Sequence, residues 1–165
     1  MSYQEAVTYL YTSRPPFHQV GASAYKPGLE NTLRLMAQVG NPHEQLQAIH
    51  VAGTNGKGST SHLIAAALQA SGRKVGLFTS PHLVSLTERI RINGQPIPEE
   101  EVAAFVEKHR ELLDKLQPSF FETMTVMAFD YFVREKVDVA VVEVPVIPVP
   151  EYHCALYPVC PRKEI

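Results

Sequence analysis

The sequence has 165 residues, of which 45% are hydrophobic and 19% charged, and its formal net charge at pH 7 is -2. This length and composition are typical of one globular domain with a sizeable core. The small net charge excludes a basic field for nucleic acid, and no apolar run approaches the roughly 20 residues that span a bilayer. The polar residues Tyr3, Gln4 and Glu5 replace the apolar segment of a signal peptide, so the sequence predicts a cytoplasmic protein.

Two helices are predicted before the first strand. The first ends before Pro15-Pro16, and its apolar face consists of Tyr3, Val7, Leu10 and Tyr11. Residues 17–26 show no regular period, which predicts a loop. The second helix opens at Lys26-Pro27-Gly28 and ends near Gly40-Asn41-Pro42, and its apolar face consists of Leu29, Leu33, Met36 and Ala37.

A glycine-rich loop, Gly53-Thr54-Asn55-Gly56-Lys57-Gly58-Ser59, follows the apolar run 48–52 and precedes a helix predicted over residues 60–71. Glycines let the backbone turn tightly with its N–H groups inward, and the helix adds the positive end of its dipole. Strand, loop and helix in this order predict a phosphate-binding loop for ATP. Lys57 is predicted to reach the outer phosphates, and the hydroxyl of Ser59 or Thr60 a bridging magnesium ion. The predicted ATP-binding residues are Thr54, Asn55, Gly56, Lys57, Gly58, Ser59 and Thr60.

This loop departs at two positions from the pattern G-x-x-x-x-G-K-[ST]. Val51 replaces the first glycine, and Gly58 moves the hydroxyl along by one residue. The alternative is an ordinary strand-to-helix turn with an exposed lysine. The agreement of strand context, glycine density, lysine and hydroxyl favours the phosphate loop.

A second strand over residues 74–78 would complete a βαβ unit around this loop. Such a unit predicts a doubly wound α/β sheet with its ligands at the carboxyl edge of the strands. The loop 79–87 leaves this edge, and residues 88–92 alternate like a half-buried strand before the hairpin signal Asn93-Gly94. Arg89 and Arg91 are predicted to lie on its charged outer face, with contact to a polyanion as the alternative.

Two helices and a buried strand follow. Pro98 and three glutamates predict a helix that runs to Leu116, and residues 121–133 predict another, whose first turn is capped by Glu122. Residues 137–144 are typical of a strand buried in a parallel sheet. Glu143 is the exception in that strand. An acid there is costly to bury unless it is paired or binds a cation, so we predict a magnesium ligand.

The last segment differs in composition from the rest. Five of the 13 prolines lie in residues 145–165, which predicts coil. Cys154 and Cys160 also lie here, and they are interpreted as free thiols in preference to a disulfide or half of a zinc site.

The glycine-rich loop resembles the nucleotide loop of the Mur ligase superfamily, in its folylpolyglutamate synthase and dihydrofolate synthase branch. Three further stretches resemble that family's next motifs, in the same order and at similar spacing: Thr79-Ser80-Pro81-His82-Leu83 with Thr87–Ile92, Phe120-Phe121-Glu122-Thr123, and Val141-Val142-Glu143-Val144. The resemblance covers residues 1–144 and stops at Pro145, where the family continues with a glycine-rich run. It implies a truncated Mur-ligase-type ATPase domain with a mostly parallel sheet, lacking the C-terminal domain. A shifted reading frame is our preferred explanation for the divergent tail, residues 145–165.

The resemblance also implies a reaction and a site. ATP would phosphorylate a carboxylate of dihydropteroate or tetrahydrofolate, and L-glutamate would displace the phosphate to form an amide, in an enzyme that is monomeric. Lys57 and Glu143 are the implied catalytic residues, and Ser80 and Glu143 the implied magnesium ligands. The implied pterin or folate site comprises Lys26, Pro27, Gly28, Ser119, Phe120, Phe121 and Glu122. This truncated chain is predicted to be inactive alone. The alternative is an ATP-binding module or a non-functional truncation product.

Overall fold

The computed structural model describes residues 1–15 and 30–144. The predictions for residues 16–29 and 145–165 lie outside these ranges, among them the substrate loop at Lys26-Pro27-Gly28, the coil tail and the two cysteines. The helices are α1 (Tyr3–Ser13), α2 (Glu30–Gln38), α3 (Pro42–Gln45), α4 (Lys57–Ala70), α5 (Glu99–Leu116) and α6 (Phe120–Arg134). The strands are β1 (Ala48–Val51), β2 (Val75–Phe78), β3 (Ile90–Ile92), β4 (Gln95–Pro96) and β5 (Val139–Glu143).

All five strands form one sheet, in the order β1-β5-β2-β3-β4. Strand β5 lies between β1 and β2 and pairs with both in parallel, whereas β3 and β4 add an antiparallel hairpin. The register places Glu143 beside Val51, the last residue of β1. The carboxyl ends of β1, β2 and β5 therefore meet at one edge, and the predicted α/β sheet is confirmed.

Helices cover both faces of the sheet. Helix α4 packs on one face against a cluster of Val51, Val75, Leu77, Val139 and Val141. The larger core lies on the other face, where α1, α2, α5 and α6 pack together around Phe78, Phe129 and Phe132. Gly76 in β2 accommodates this layer, because a Cβ at that position would stand 2.8 Å from the Phe132 ring.

Three predictions about the elements are wrong in detail. The buried face of α2 consists of Thr32, Leu35 and Met36, and Leu33 is 39% exposed. The face is rotated because the Thr32 hydroxyl turns inward to donate a hydrogen bond to Glu122 Oε1 at 2.7 Å. Helix α4 begins at Lys57 and not at residue 60. The predicted strand 88–92 is shortened to β3, because residues 86–89 form a turn of 3₁₀ helix.

The predicted helix starts of α5 and α6 are confirmed. Pro98 precedes α5, whose first turn holds three glutamates. Ser119 and Glu122 form a capping box at the start of α6, in which Ser119 Oγ accepts from the Glu122 N–H. None of the helices within the described ranges combines the length and apolar character that crossing a membrane requires.

Two buried histidines make the stability of this fold depend on pH. His43 and His109 are both 8% exposed, and burial lowers the pKa of each imidazole below its usual 6.5. Glu44 raises the pKa of His43, whereas His109 faces Lys108, which lowers its pKa, and Asp130, which raises it. The unfolded chain therefore binds protons more readily than the folded chain, so stability is retained above about pH 6.5 and is lost as the pH falls below it.

We expect the midpoint of urea unfolding to fall between about pH 7.5 and about pH 5.5, a window above the titration of most carboxylates. A His109→Gln variant should show a smaller fall than the wild-type chain. An unchanged pH dependence in that variant would contradict the assignment.

Candidate nucleotide and metal site

The glycine-rich loop connects β1 to α4 at the carboxyl edge of the sheet. Gly56 adopts a left-handed conformation with φ of 77° and occupies the N-cap position of α4, and no described side chain caps this helix. The first N–H groups of α4 are therefore available to an anion. Lys57 Nζ donates to the Thr54 carbonyl oxygen at 3.3 Å, so the lysine is folded back across its own loop.

Glu143 lies at the end of β5, directly beside this loop. The residue is only 3% exposed, and its Oε2 accepts a hydrogen bond from the Ser80 N–H at 3.4 Å. A Cβ on Gly58 would stand 3.7 Å from the same oxygen, so the loop backbone passes close to the carboxylate. The fold thus brings together Gly58, Ser80 and Glu143 from three separate segments.

The electrostatic balance at Glu143 is unusual for a carboxyl group. Burial raises its pKa above the usual 4.5, and the Ser80 N–H, Lys57, His62 and Arg89 act in the opposite direction. Burial is the largest effect, so the ionised carboxylate is incompletely compensated by the protein. A bound cation would supply the missing compensation.

The residues around Glu143 at the carboxyl edge of the sheet fit the binding of a magnesium ion. Mg²⁺ prefers oxygen ligands and is usually held by one or two carboxylates together with waters and substrate phosphates. Glu143 supplies a buried carboxylate, and three hydroxyl-bearing residues lie in the adjoining segments, Ser59 and Thr60 in the first turn of α4 and Ser80 in the loop after β2. Within residues 1–15 and 30–144, no group of three His, Cys, Asp or Glu side chains could form an all-protein cage. The ion would therefore depend on phosphate oxygens for its remaining ligands.

A single carboxylate orders residues 83–85 in the loop after β2, the loop that carries Ser80. Glu88 accepts hydrogen bonds from the N–H groups of Leu83 at 3.0 Å, Val84 at 3.1 Å and Ser85 at 2.9 Å. These bonds to the ionised form lower the pKa of Glu88. The backbone of the loop is thereby ordered, although the side chains of Leu83 and Val84 are 91% and 89% exposed.

Arg89 does not lie on an outer face, so that prediction is wrong. The residue is 4% exposed, and its Nε donates to His82 Nδ1 at 2.7 Å. Its guanidinium carbon lies 5.2 Å from the centroid of the Phe120 ring. Tyr11 stacks on the same ring at 5.4 Å and contacts His82 Nε2 through its hydroxyl at 2.8 Å. The alternation of residues 88–92 predicted a strand and therefore an exposed arginine, whereas the chain forms a 3₁₀ turn at residues 86–89.

The predicted substrate residues of α6 lie close to this cluster. Phe120 is 4% exposed beneath Tyr11 and Arg89, and Phe121 is half-buried with its ring 5.7 Å from that of Phe78. Glu122 accepts from the Ser119 N–H at 2.7 Å and from Thr32. Tyr11, His62 and His82 were not predicted as site residues. Only His82 had a sequence signal, its place in the Thr-Ser-Pro-His stretch.

No family model matches the sequence. Among curated proteins, it is 44% identical over 149 residues to a probable bifunctional folylpolyglutamate synthase/dihydropteroate synthase of Haloferax volcanii, covering 87% of this chain and 17% of that protein. It is 48% identical over 125 residues to the dihydrofolate synthase/folylpolyglutamate synthase of Bacillus subtilis, covering 72% of this chain and 29% of that protein. The chain thus spans less than a third of the length of these relatives.

Solved structures show the same relationship. The folylpolyglutamate synthase of Thermotoga maritima superposes with a TM-score of 0.76 at 41% identity, covering 86% of this chain and 32% of the other. A complex of folylpolyglutamate synthase (FPGS) with AMPPCP and folate superposes with a TM-score of 0.75 at 40% identity, covering 87% of this chain and 35% of the other. Sequence and fold therefore agree. The chain corresponds to part of the length of these proteins, and it belongs to the folylpolyglutamate synthase/dihydrofolate synthase family.

Proposed function

We propose that this chain is the ATP-binding part of an ATP-dependent ligase that joins L-glutamate to dihydropteroate or tetrahydrofolate. The observation that supports this most strongly is the meeting of Lys57, Gly58, Ser80 and Glu143 at one edge of the sheet. The relatives are named for folylpolyglutamate or dihydrofolate synthesis, and one structural neighbour holds both AMPPCP and folate. We also propose a monomer in the cytoplasm.

The proposed reaction places specific demands on these residues. A substrate carboxylate oxygen attacks the γ-phosphorus of ATP, the bond to ADP breaks, and an acyl phosphate forms. The amine of L-glutamate then attacks the acyl carbon, loses a proton and expels inorganic phosphate to give the amide. Lys57 would leave the Thr54 carbonyl and contact the outer phosphates, while the first N–H groups of α4 bind the phosphate oxygens. Glu143 and Ser80 would hold magnesium, whose positive charge would offset the charge of the phosphates. No protein nucleophile is needed.

The substrate side of the proposal uses α6 and the loop at Lys26, Pro27 and Gly28. Phe121 is the aromatic residue best placed to contact a flat pterin ring, because it is only half-buried. Phe120 is covered by Tyr11 and Arg89, and Ser119 and Glu122 bond to each other. Phe120, Ser119 and Glu122 would therefore support the wall of the site without contacting the pterin ring.

A Glu143→Gln variant tests the metal part of the proposal. Because burial raises the pKa of Glu143, its ionised form opposes folding at neutral pH, and the amide should leave the unfolding midpoint unchanged or higher. The same change removes a charged magnesium ligand. We expect the gain in ATP affinity that Mg²⁺ provides to fall about 10- to 100-fold, measured by titration calorimetry with and without Mg²⁺.

Glu135→Gln is the matched control, since Glu135 pairs with Lys74 and does not contact the loop. It should leave the effect of Mg²⁺ unaltered. If Glu143→Gln binds ATP with the same magnesium dependence as the wild-type chain, Glu143 is not a ligand.

One observation favours a second candidate, an ATP-binding module without ligase activity. Among the implied substrate residues that the structure describes, Phe120 is 4% exposed and Ser119 and Glu122 bond to each other, so of these four residues only Phe121 is open to a pterin ring. Titration with ATP and, separately, with dihydropteroate discriminates the two candidates. Binding of both ligands supports the ligase part, whereas binding of ATP alone supports the module.

A further inference from the structure

Arg89, His82 and Tyr11 form a hydrogen-bonded chain that the reaction proposed above does not use. Arg89 Nε donates to His82 Nδ1 at 2.7 Å, so Nδ1 is the acceptor nitrogen of the ring. The other nitrogen, Nε2, then carries the proton in the neutral ring and donates to the Tyr11 hydroxyl at 2.8 Å. One arginine thus fixes the histidine tautomer, and the histidine fixes the orientation of the tyrosine.

The hydrogen bonds among Arg89, His82 and Tyr11 connect three elements that are distant in the sequence. His82 belongs to the loop that carries Ser80, Tyr11 to α1, and both Tyr11 and Arg89 contact Phe120 at the start of α6. Arg89 and Phe120 are each 4% exposed, and the hydrogen bonds of His82 with Arg89 and Tyr11 are partly buried. A partly buried hydrogen bond costs more to leave unmade than one at the surface, which makes such a link more rigid than a surface contact.

The loop 79–87 needs such a link. Glu88 attaches residues 83–85 to the 3₁₀ turn, whose Leu86 and Thr87 are buried, but its hydrogen bonds do not reach residues 79–82. The bond from the Ser80 N–H to Glu143 is long, at 3.4 Å, and the side chains of Leu83 and Val84 make little packing contact. Attachment to α1 comes from the Tyr11–His82 contact and from the contact of Tyr3 with Ser85 at 3.2 Å.

We infer that Tyr11, His82 and Arg89 are positioning residues that hold the 79–87 loop so that Ser80 stays beside Glu143. The inference rests on the proposed function in one respect, that the Ser80–Glu143 pair receives a magnesium–nucleotide complex. These three residues, called the brace below, hold the loop whether or not the ligand is bound. Because Arg89 and Tyr11 also cover Phe120, the same brace joins the metal side of the site to the start of α6.

The test compares Tyr11→Phe with Tyr9→Phe in the 165-residue chain. Both changes remove one hydroxyl from α1, but the Tyr9 hydroxyl bonds to Asp114 and Arg110 of α5, away from the loop. Tyr11→Phe keeps the ring that stacks on Phe120 and loses only the contact with His82. Amide hydrogen exchange of the loop should rise about tenfold in Tyr11→Phe, including exchange of the Ser80 N–H, and should not change in Tyr9→Phe.

Arg89→Lys is a second variant, which keeps the charge but loses the planar group that bonds to His82 and covers Phe120. It should raise exchange in the same loop residues. Loop exchange equal to that of the wild-type chain in both Tyr11→Phe and Arg89→Lys would overturn the inference.

Calorimetric titration with ATP and Mg²⁺ completes the experiment. Tyr11→Phe should weaken the magnesium-dependent part of ATP binding, with partial recovery at raised Mg²⁺, and Tyr9→Phe should not. Raised loop exchange with undiminished magnesium-dependent affinity would also overturn the inference. A wild-type chain that binds no ATP would refute the proposed function instead, and loop exchange alone would then decide whether the brace exists.

Discussion

Replacing Lys57 by alanine is expected to weaken the binding of ATP to this chain about 100-fold. The lysine is the one cation within the glycine-rich loop, and a charge-assisted contact to phosphate contributes up to about 3 kcal/mol, which corresponds to a factor of about 100. Its present bond to the Thr54 carbonyl is weak at 3.3 Å, so little is lost when the side chain turns to a ligand. Calorimetric titration of both forms with ATP and Mg²⁺ measures the difference.

Lys74→Ala provides the control for this experiment. Lys74 is also a partly exposed lysine next to a strand, but it bonds to Glu135 at the opposite edge of the sheet. Its removal should leave ATP affinity unchanged. Equal affinity of the Lys57→Ala and wild-type chains would remove the phosphate-loop assignment.

The second large effect concerns the reaction itself. We expect the 165-residue chain to show no measurable ATP-dependent addition of labelled glutamate to dihydropteroate or to tetrahydrofolate. The aligned segments make up only 17% and 29% of the two curated relatives. Groups that bind L-glutamate and close the site would come from the part not represented, and loss of such orientation reduces rates by many orders of magnitude.

A longer chain, in which a family-like continuation follows Val144, should restore glutamate addition. The Lys57→Ala change introduced into that longer chain should abolish the activity again, because the restored turnover would depend on this loop. Robust turnover by the 165-residue chain alone would refute the prediction of inactivity.

Much of the site could be predicted because it is encoded in short, contiguous stretches. The glycine-rich loop carries its own turn residues and its own cation, so its position between β1 and α4 follows from local sequence. Glu143 was recognisable as an acid at the carboxyl end of a strand of apolar residues, and it is indeed buried at the edge next to the loop. Its role as a metal ligand stays a prediction.

The error at Arg89 shows where such reasoning fails. Its neighbours alternate like a strand, but a serine and a glutamate cap a 3₁₀ turn there, and the turn directs the arginine inward. The same holds for α2, where Thr32 replaced Leu33 on the buried face because Glu122, 90 residues away, offers it an acceptor. The capping box at Arg89 is a local signal that the alternation outweighed, whereas the partner of Thr32 cannot be read from the residues near Thr32.

The sequence by itself determined the order of the helices and strands other than α3 and β4, the glycine-rich loop and the mostly parallel sheet, because periodicity, glycines and caps act over a few residues. Only the tertiary structure decided that β5 lies between β1 and β2, which places Glu143 beside Gly58 and Ser80. It also decided that Tyr11, His82 and Arg89 meet over Phe120. These contacts join segments up to about a hundred residues apart, and their formation depends on the burial of the whole core and not on any local preference.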